Sequence, residues 1–172
     1  MKLKVPKRAP KTLEPEQVQT LIAACDRLRD KFLLCLLYES GMRIGQALGL
    51  RHADIESMDN LICIEPRNNN ANGARTKTKA AYSVHVTQEL MALYSQYVCE
   101  EFCEILGNAP SDYVFVNLWE GQKGAPMTYS NVMELLRRLK RKTGIHIHPH
   151  MLRHTHATQL VRSGMEMVFV IR

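Results

Sequence analysis

An arginine with the surroundings of an anion-binding group lies in the segment 39–51. Gly41 interrupts a preceding apolar run, and Arg43 follows at the predicted start of a short helix. Free backbone N–H groups at a helix start attract anions, and a guanidinium adds two parallel donors for phosphate oxygens. The segment therefore indicates a phosphate-binding position, although an ordinary surface arginine at a helix start would give the same pattern.

A second polar cluster lies at 148–158, where the sequence is His-Pro-His-Met-Leu-Arg-His-Thr-His-Ala-Thr. A helix over 150–163 would place His150 and Arg153 on the same side, because they are three positions apart. The arginine would supply a second guanidinium, and the histidine a proton donor that titrates near neutral pH. His150 and His154 also have a spacing that can bind zinc, but no glutamate follows His150 and no third ligand is evident. We therefore predict no metal site.

The elements that must position these residues are mostly helical. Apolar residues recur at helical spacing in four stretches, 12–25, 30–40, 87–98 and 128–139, and a helix is also predicted from 150. Thr12 is the predicted cap of the first helix. Residues 61–64 and 82–86 have strand character and flank an Asn- and Gly-rich turn. The predicted fold is mainly α (α+β), a helical domain with a small antiparallel sheet or hairpin.

The composition is that of one ordinary globular domain. The chain has 172 residues, of which 45% are hydrophobic and 23% are charged. No apolar run approaches the roughly 20 residues needed to cross a bilayer, and no secretion signal is evident. The five cysteines are an odd number, which is typical of reduced thiols rather than a disulfide framework. We therefore expect a cytoplasmic protein with no membrane segment.

Positive charge is concentrated in three places, and the net charge is +6. Basic residues cluster at the amino terminus, at 67–79 and at 137–142. Residues 1–11 also contain two prolines and show no periodicity, so they predict a basic linker or arm. Three basic clusters on one domain favour a polyanion as the partner.

The two motifs together resemble those of a known family. Gly-Met-Arg-Ile-Gly-Gln-Ala-Leu-Gly-Leu-Arg at 41–51 and His-Met-Leu-Arg-His-Thr-His-Ala-Thr at 150–158 look like the first-arginine and His-x-x-Arg motifs of phage-integrase-type tyrosine recombinases. The resemblance covers 12–172 and implies one catalytic domain. It also implies site-specific DNA recombination through a 3′-phosphotyrosyl intermediate, with no cofactor and with sister protomers in a synaptic complex. The Asn-rich hairpin is more similar to transposon-type members than to Xer-type ones.

The resemblance assigns roles to particular residues. Arg43 and Arg153 match the catalytic arginines that bind the scissile phosphate, and His150 matches the residue that assists proton transfer. The hairpin lysine of the family, which protonates the departing 5′ oxygen, corresponds to Lys77, with Lys79 as the rival. Further DNA contacts are predicted for Arg51, Arg75, Lys79 and His154.

Two positions depart from the family pattern. The residue three positions after the first arginine is commonly acidic in the family and is Gln46 here. The nucleophilic tyrosine of the family follows the His-x-x-Arg motif, whereas all six tyrosines of this chain precede His150. We therefore expect a C-terminally incomplete catalytic domain that holds DNA but does not cleave it alone. The alternative function is a non-catalytic DNA-binding module.

Overall fold

The computed structural model describes residues 11–107 and 111–164. Almost all of the predicted basic arm, and the stretch after 164, therefore lie outside the described residues. The elements are, in order, α1 (Pro15–Ala23), α2 (Leu28–Ser40), α3 (Ile44–Leu48), a 3₁₀ turn (His52–Asp54), β1 (Ile55–Glu56), β2 (Leu61–Ile64), β3 (Tyr82–His85), α4 (Gln88–Tyr97), a π turn (Val98–Phe102), α5 (Cys103–Leu106), α6 (Tyr129–Thr143) and α7 (Pro149–Arg162). No helix within these ranges is long and apolar enough to cross a membrane.

The three strands form one antiparallel sheet in the order β1-β2-β3. Ile62 lies opposite Ile55 on one side and opposite Val84 on the other. The predicted fold class, mainly α with a small antiparallel sheet, is confirmed. The sequence pattern missed β1, because two residues are too few to show an alternation of apolar and polar side chains.

The helix ends follow local capping chemistry. The Thr128 hydroxyl accepts the N–H of Asn131 at the start of α6, and Thr87 caps α4 in the same way through Leu90. The predicted cap of the first helix was wrong, because α1 begins after Glu14 and not after Thr12. Pro15 occupies the first helical position, where the N–H that proline lacks would have no helical partner.

Helix α2 is the centre of the domain. Its side chains from Phe32 to Leu37 are buried on nearly all sides, and α7 and α4 pack against it. The Phe32 ring stacks on Phe115 with 5.5 Å between centroids and contacts Tyr94 at 5.4 Å. Each such buried side chain contributes roughly 1.5–3 kcal/mol to folding, so the position of α2 is strongly determined. The segment that follows α2, which carries Arg43, is therefore held on a rigid base.

Candidate active site

Arg43 is positioned by the junction between α2 and α3. Gly41 ends α2 in the left-handed conformation with φ +64°, and the following Met42 is buried. The backbone N–H of Arg43 donates to Oε1 of Gln46 at 2.8 Å, which caps α3. The Arg43 side chain is exposed and lines a cleft of about 360 Å³. An arginine at a helix start is thus presented to solvent on an ordered backbone.

Arg153 reaches the same junction from α7. Its Nη1 donates to the carbonyl oxygen of Gly41. A Cβ atom on Gly41 would lie 2.3 Å from the His156 ring, so only glycine allows α7 to approach this closely. Burial, and next the charge of Arg43, lower the pKa of Arg153. Because Arg153 bonds the backbone two residues before Arg43, the two arginines are neighbours, and an anion bound by both would offset the repulsion between their charges.

The cleft brings further positive groups to Arg43. Its lining includes Lys77 from the β2–β3 loop, defined here as residues 65–81, and His150 from the first turn of α7. Burial lowers the pKa of His150, and the neighbouring charges, Arg153 and Lys77 among them, lower it further. The structure thus places Arg43, Lys77 and His150 around one cleft, with Arg153 bonded to the neighbouring Gly41 carbonyl. Within the described ranges, none of the four forms an ion pair with a carboxylate.

The base of the β2–β3 loop is anchored by an ion pair. Nη1 and Nη2 of Arg67 donate to the two carboxylate oxygens of Asp54 at 2.6 and 2.8 Å, and Asp54 is only 5% exposed. Because of this pairing, the pKa of Arg67 is raised. The buried Thr76 hydroxyl accepts the Arg67 N–H at 3.0 Å, which closes the loop on itself. The loop is therefore ordered by side chains rather than by strand pairing.

The Asn-rich turn predicted from the sequence provides most of the remaining anchors. Nδ2 of Asn72 donates to the carbonyl oxygens of Leu48 at 2.9 Å and Met127 at 2.7 Å. Asn70 is 7% exposed and donates to the Ala74 carbonyl at 2.9 Å. These amides satisfy backbone groups that a loop would otherwise leave unpaired, so the turn fastens the loop to α3 and to the start of α6.

The close approach of the loop to α3 places Lys77. A Cβ atom on Gly45 would lie 2.4 Å from the carbonyl oxygen of Arg75, so the loop crosses α3 where glycine removes the side chain. Lys77 has a positive φ of 51°, a conformation that costs a residue with a side chain about 1 kcal/mol. Lys77 lines the cleft, and its rival Lys79 is exposed outside the lining.

The four residues predicted to make further DNA contacts occupy different surroundings. Arg75 lines the cleft, and His154 is exposed one turn of α7 after His150. The Arg51 guanidinium instead lies 3.5 Å from the centroid of the Tyr113 ring and donates to Asn70 at 2.8 Å. Internal partners therefore already occupy much of this side chain. DNA contact stays a prediction for all four: Arg51, Arg75, Lys79 and His154.

Two tyrosines at the site escaped the sequence prediction. Tyr129 lines the cleft, and its hydroxyl lies 3.3 Å from Nε2 of His148. The Tyr82 hydroxyl lies 2.9 Å from Nε2 of Gln46, so strand β3 meets α3 beside Arg43. The alternating pattern of β3 predicted the strand, but no local signal indicates which helix its side chains contact.

The histidine-rich segment is arranged by stacking. The rings of His148 and His150 are 5.2 Å apart at an angle of 22°. Over the described residues, no group of three or more histidine, cysteine or acidic side chains is arranged to hold a metal ion. The five cysteines are all free thiols.

Comparison with known proteins places this geometry in a family. The model of the phage integrase family matches residues 11–172. Transposase A of transposon Tn554 from Staphylococcus aureus is 46% identical over 170 residues, which cover 99% of this chain and 46% of the transposase. Tyrosine recombinase XerC of Bacillus subtilis is 29% identical over 94% of this chain and 51% of its own.

Solved structures share the fold. The crystal structure of XerA recombinase has a TM-score of 0.77 at 24% identity and covers 96% of this chain and 56% of its own. The Tn1549 transposon integrase in complex with a circular intermediate DNA has a TM-score of 0.69 at 17% identity and covers 98% and 58%. The chain spans about half the length of the curated relatives it matches. The resemblance inferred from the motifs is confirmed, and this chain belongs to the phage integrase family of tyrosine recombinases.

Proposed function

We propose that this chain carries the phosphate-binding part of a site-specific DNA recombinase that acts through a 3′-phosphotyrosyl intermediate. One observation supports the proposal above all others. Arg43, Lys77 and His150 line one cleft, Arg153 bonds the Gly41 carbonyl beside it, and none of the four is neutralised by a carboxylate of the described residues. Such a cluster suits a ligand with several negative oxygens, and the DNA backbone is a polymer of such groups.

The proposed chemistry follows from the charges. A tyrosine oxygen attacks the scissile phosphorus, the bond to the 5′ oxygen breaks, and the strand end stays linked to the tyrosine. Arg43 and Arg153 stabilise the negative oxygens of the pentacoordinate transition state. Lys77 donates the proton that the departing 5′ oxygen takes up, and His150 assists proton transfer. The phosphotyrosyl link retains the energy of the broken bond, so resealing needs no nucleotide cofactor.

The remaining parts of the proposal concern the whole protein. The partner is double-stranded DNA, in keeping with the DNA-bound complexes of the Tn1549 integrase and of XerH recombinase. Strand exchange needs sister protomers in a synaptic complex, and the protein acts in the cytoplasm. All six tyrosines of this chain precede His150, so none of them is proposed as the attacking residue.

The decisive test measures covalent attachment and DNA binding separately. In the complete recombinase, Arg43→Ala or Arg153→Ala should abolish the covalent tyrosine–DNA adduct on a nicked substrate, while duplex binding largely persists. Arg137→Ala, on the exposed face of α6, is the matched control and should retain the adduct. Adduct formation that survives either cleft substitution would refute the assignment. If this family member is only a DNA-binding module, the unsubstituted protein will form no adduct.

A further inference from the structure

The side chain of Gln46 has a determined orientation. It is 2% exposed and lies between the backbone of Arg43 and the Tyr82 hydroxyl. The Arg43 N–H can only donate, so the amide oxygen of Gln46 must face it, at 2.8 Å. The amide nitrogen therefore faces Tyr82, at 2.9 Å.

The orientation of Gln46 determines what the Tyr82 hydroxyl can do. An amide nitrogen only donates, so the phenolic oxygen of Tyr82 accepts this hydrogen bond and its own hydrogen points elsewhere. Tyr82 is 40% exposed, so its side chain is accessible to a ligand. Tyr82 also lies close to Arg43, because the one Gln46 amide contacts both the Arg43 N–H and the Tyr82 hydroxyl.

We propose that Tyr82 is a further phosphate-binding residue, whose hydroxyl donates to a backbone phosphate oxygen of DNA, and that Gln46 orients it. This inference rests on the proposed function, since it adds a neutral donor to the same site. Arg43 at the start of α3, Arg153 on α7 and Tyr82 on β3 would then contact the same phosphate, and Gln46 connects the Arg43 backbone to Tyr82.

The proposal explains how Gln46 fits the site at a position that is commonly acidic in the family. Both oxygens of a carboxylate accept hydrogen bonds, so an acidic residue here would draw the Tyr82 hydrogen inward. Glutamine leaves that hydrogen free for an anion. It also adds no negative charge beside Arg43 and Arg153, so their attraction for phosphate is undiminished.

The first experiment compares duplex binding by the present chain and its Tyr82→Phe variant. The expected result is about a tenfold loss of affinity for a duplex of about 30 base pairs, because one hydrogen bond to a charged group is removed. The slope of log affinity against log salt should stay unchanged, because a hydroxyl releases no counterions. Affinity within about twofold of the parent would overturn the proposal.

Two controls separate this proposal from the one on which it rests. Arg43→Ala should weaken binding and reduce the salt slope by about one, which tests the phosphate site itself. If Arg43→Ala has this effect and Tyr82→Phe has none, only the Tyr82 inference fails; if neither matters, the phosphate site fails too. Tyr38→Phe removes a hydroxyl bound to Gln159, away from the cleft, and should leave affinity unchanged.

A double-mutant cycle tests the orienting role of Gln46. Gln46→Glu should weaken binding in the parent through its negative charge and through the reversed Tyr82 hydroxyl. In a Tyr82→Phe background only the charge effect remains, so the loss should be about tenfold smaller. Equal losses in the two backgrounds would show that Gln46 does not orient Tyr82. Unfolding curves of all variants confirm that each one is folded.

Discussion

Two arginine-containing regions at opposite ends of α3 have different roles. In the paired cluster, Arg67 binds Asp54 through two hydrogen bonds, and Arg51 binds Asn70 and the face of Tyr113. In the unpaired cluster, no carboxylate of the described residues pairs with Arg43, Arg153, Lys77 or His150, and Arg153 bonds a backbone carbonyl, that of Gly41. The comparison shows that the partner, rather than the residue type, separates an arginine that supports the fold from one that is available to a ligand.

The two clusters also differ in their effect on stability. Removing a guanidinium or a carboxylate from water is tolerated when the two groups pair with good geometry, as Arg67 and Asp54 do. Arg153 is half-buried beside Arg43 without such compensation, and its pKa is lowered in consequence. Phosphate binding would offset the repulsion between these two charges.

The largest effect is expected from breaking the paired cluster. Arg67→Ala leaves the Asp54 carboxylate buried and without its ion partner, so the free energy of unfolding should fall by about 3 kcal/mol. We take the lower end of the usual range because the Arg67 side chain is 26% exposed. Urea unfolding measures the loss. The control Arg137→Ala breaks an exposed pair with Glu134 and should cost less than about 1 kcal/mol; similar losses for the two would remove the distinction between the clusters.

In the unpaired cluster, a substitution should change the affinity for DNA rather than the stability of the fold. Arg43→Ala should lower duplex affinity by about ten- to a hundredfold, because a charged hydrogen bond to phosphate is lost. Its free energy of unfolding should stay within about 0.5 kcal/mol of the parent, because the side chain is exposed and unpaired. Fluorescence anisotropy with a labelled duplex and urea unfolding measure the two quantities. A clear loss of stability with intact affinity would assign Arg43 to the fold instead.

Gly45 connects the two clusters, because the loop anchored by the first crosses α3 there to deliver Lys77 to the second. Alanine in a helix is normally more favourable than glycine by up to about 1 kcal/mol. Here its Cβ would meet the Arg75 carbonyl oxygen at 2.4 Å, so Gly45→Ala should destabilise the chain by about 1–2 kcal/mol and weaken duplex binding. Thermal unfolding and anisotropy measure both effects. A stabilised variant with full affinity would contradict the close approach.

The smallest effect concerns protonation of α7. Burial, countered in part by a hydrogen bond to the Tyr38 carbonyl, lowers the pKa of His156, and burial lowers that of His150. The unfolded chain takes up protons near the ordinary histidine pKa of about 6.5, before the folded chain does. Stability should therefore be complete above about pH 6.5 and fall as the pH drops below it.

Thermal melts between about pH 7.5 and about pH 5.5 test the predicted fall in stability on acidification. The melting temperature should fall toward the acid end, and His156→Asn should reduce the fall, since asparagine can still donate to the Tyr38 carbonyl. His85→Gln, at an exposed position of β3, is the control. A melting temperature that rises on acidification would show that a different group dominates.

Local patterns were sufficient for most elements and for part of the site. Apolar spacing predicted α2, α4 and α6, and the glycine after α2 marked its end, because these signals depend on residues within a few positions of each other. The motifs around Arg43 and around His150 and Arg153 pointed to the residues that the fold brings to one region. The strand β1 was missed, because two residues are too few to show a pattern. The cap of the first helix was predicted wrongly, because a single side chain does not determine where a helix begins.

What only the tertiary structure decided is which charged side chains have partners. The sequence by itself determined the family, the fold class and the candidate phosphate ligands, since these follow from short motifs and residue spacing. It could not distinguish Lys77 from Lys79 at the cleft, or Arg51 with its internal partners from the unpaired Arg43. Nor could it place Tyr82 against Gln46, 36 positions apart in the chain. Pairing depends on distance in space, and chain folding alone brings such distant groups together.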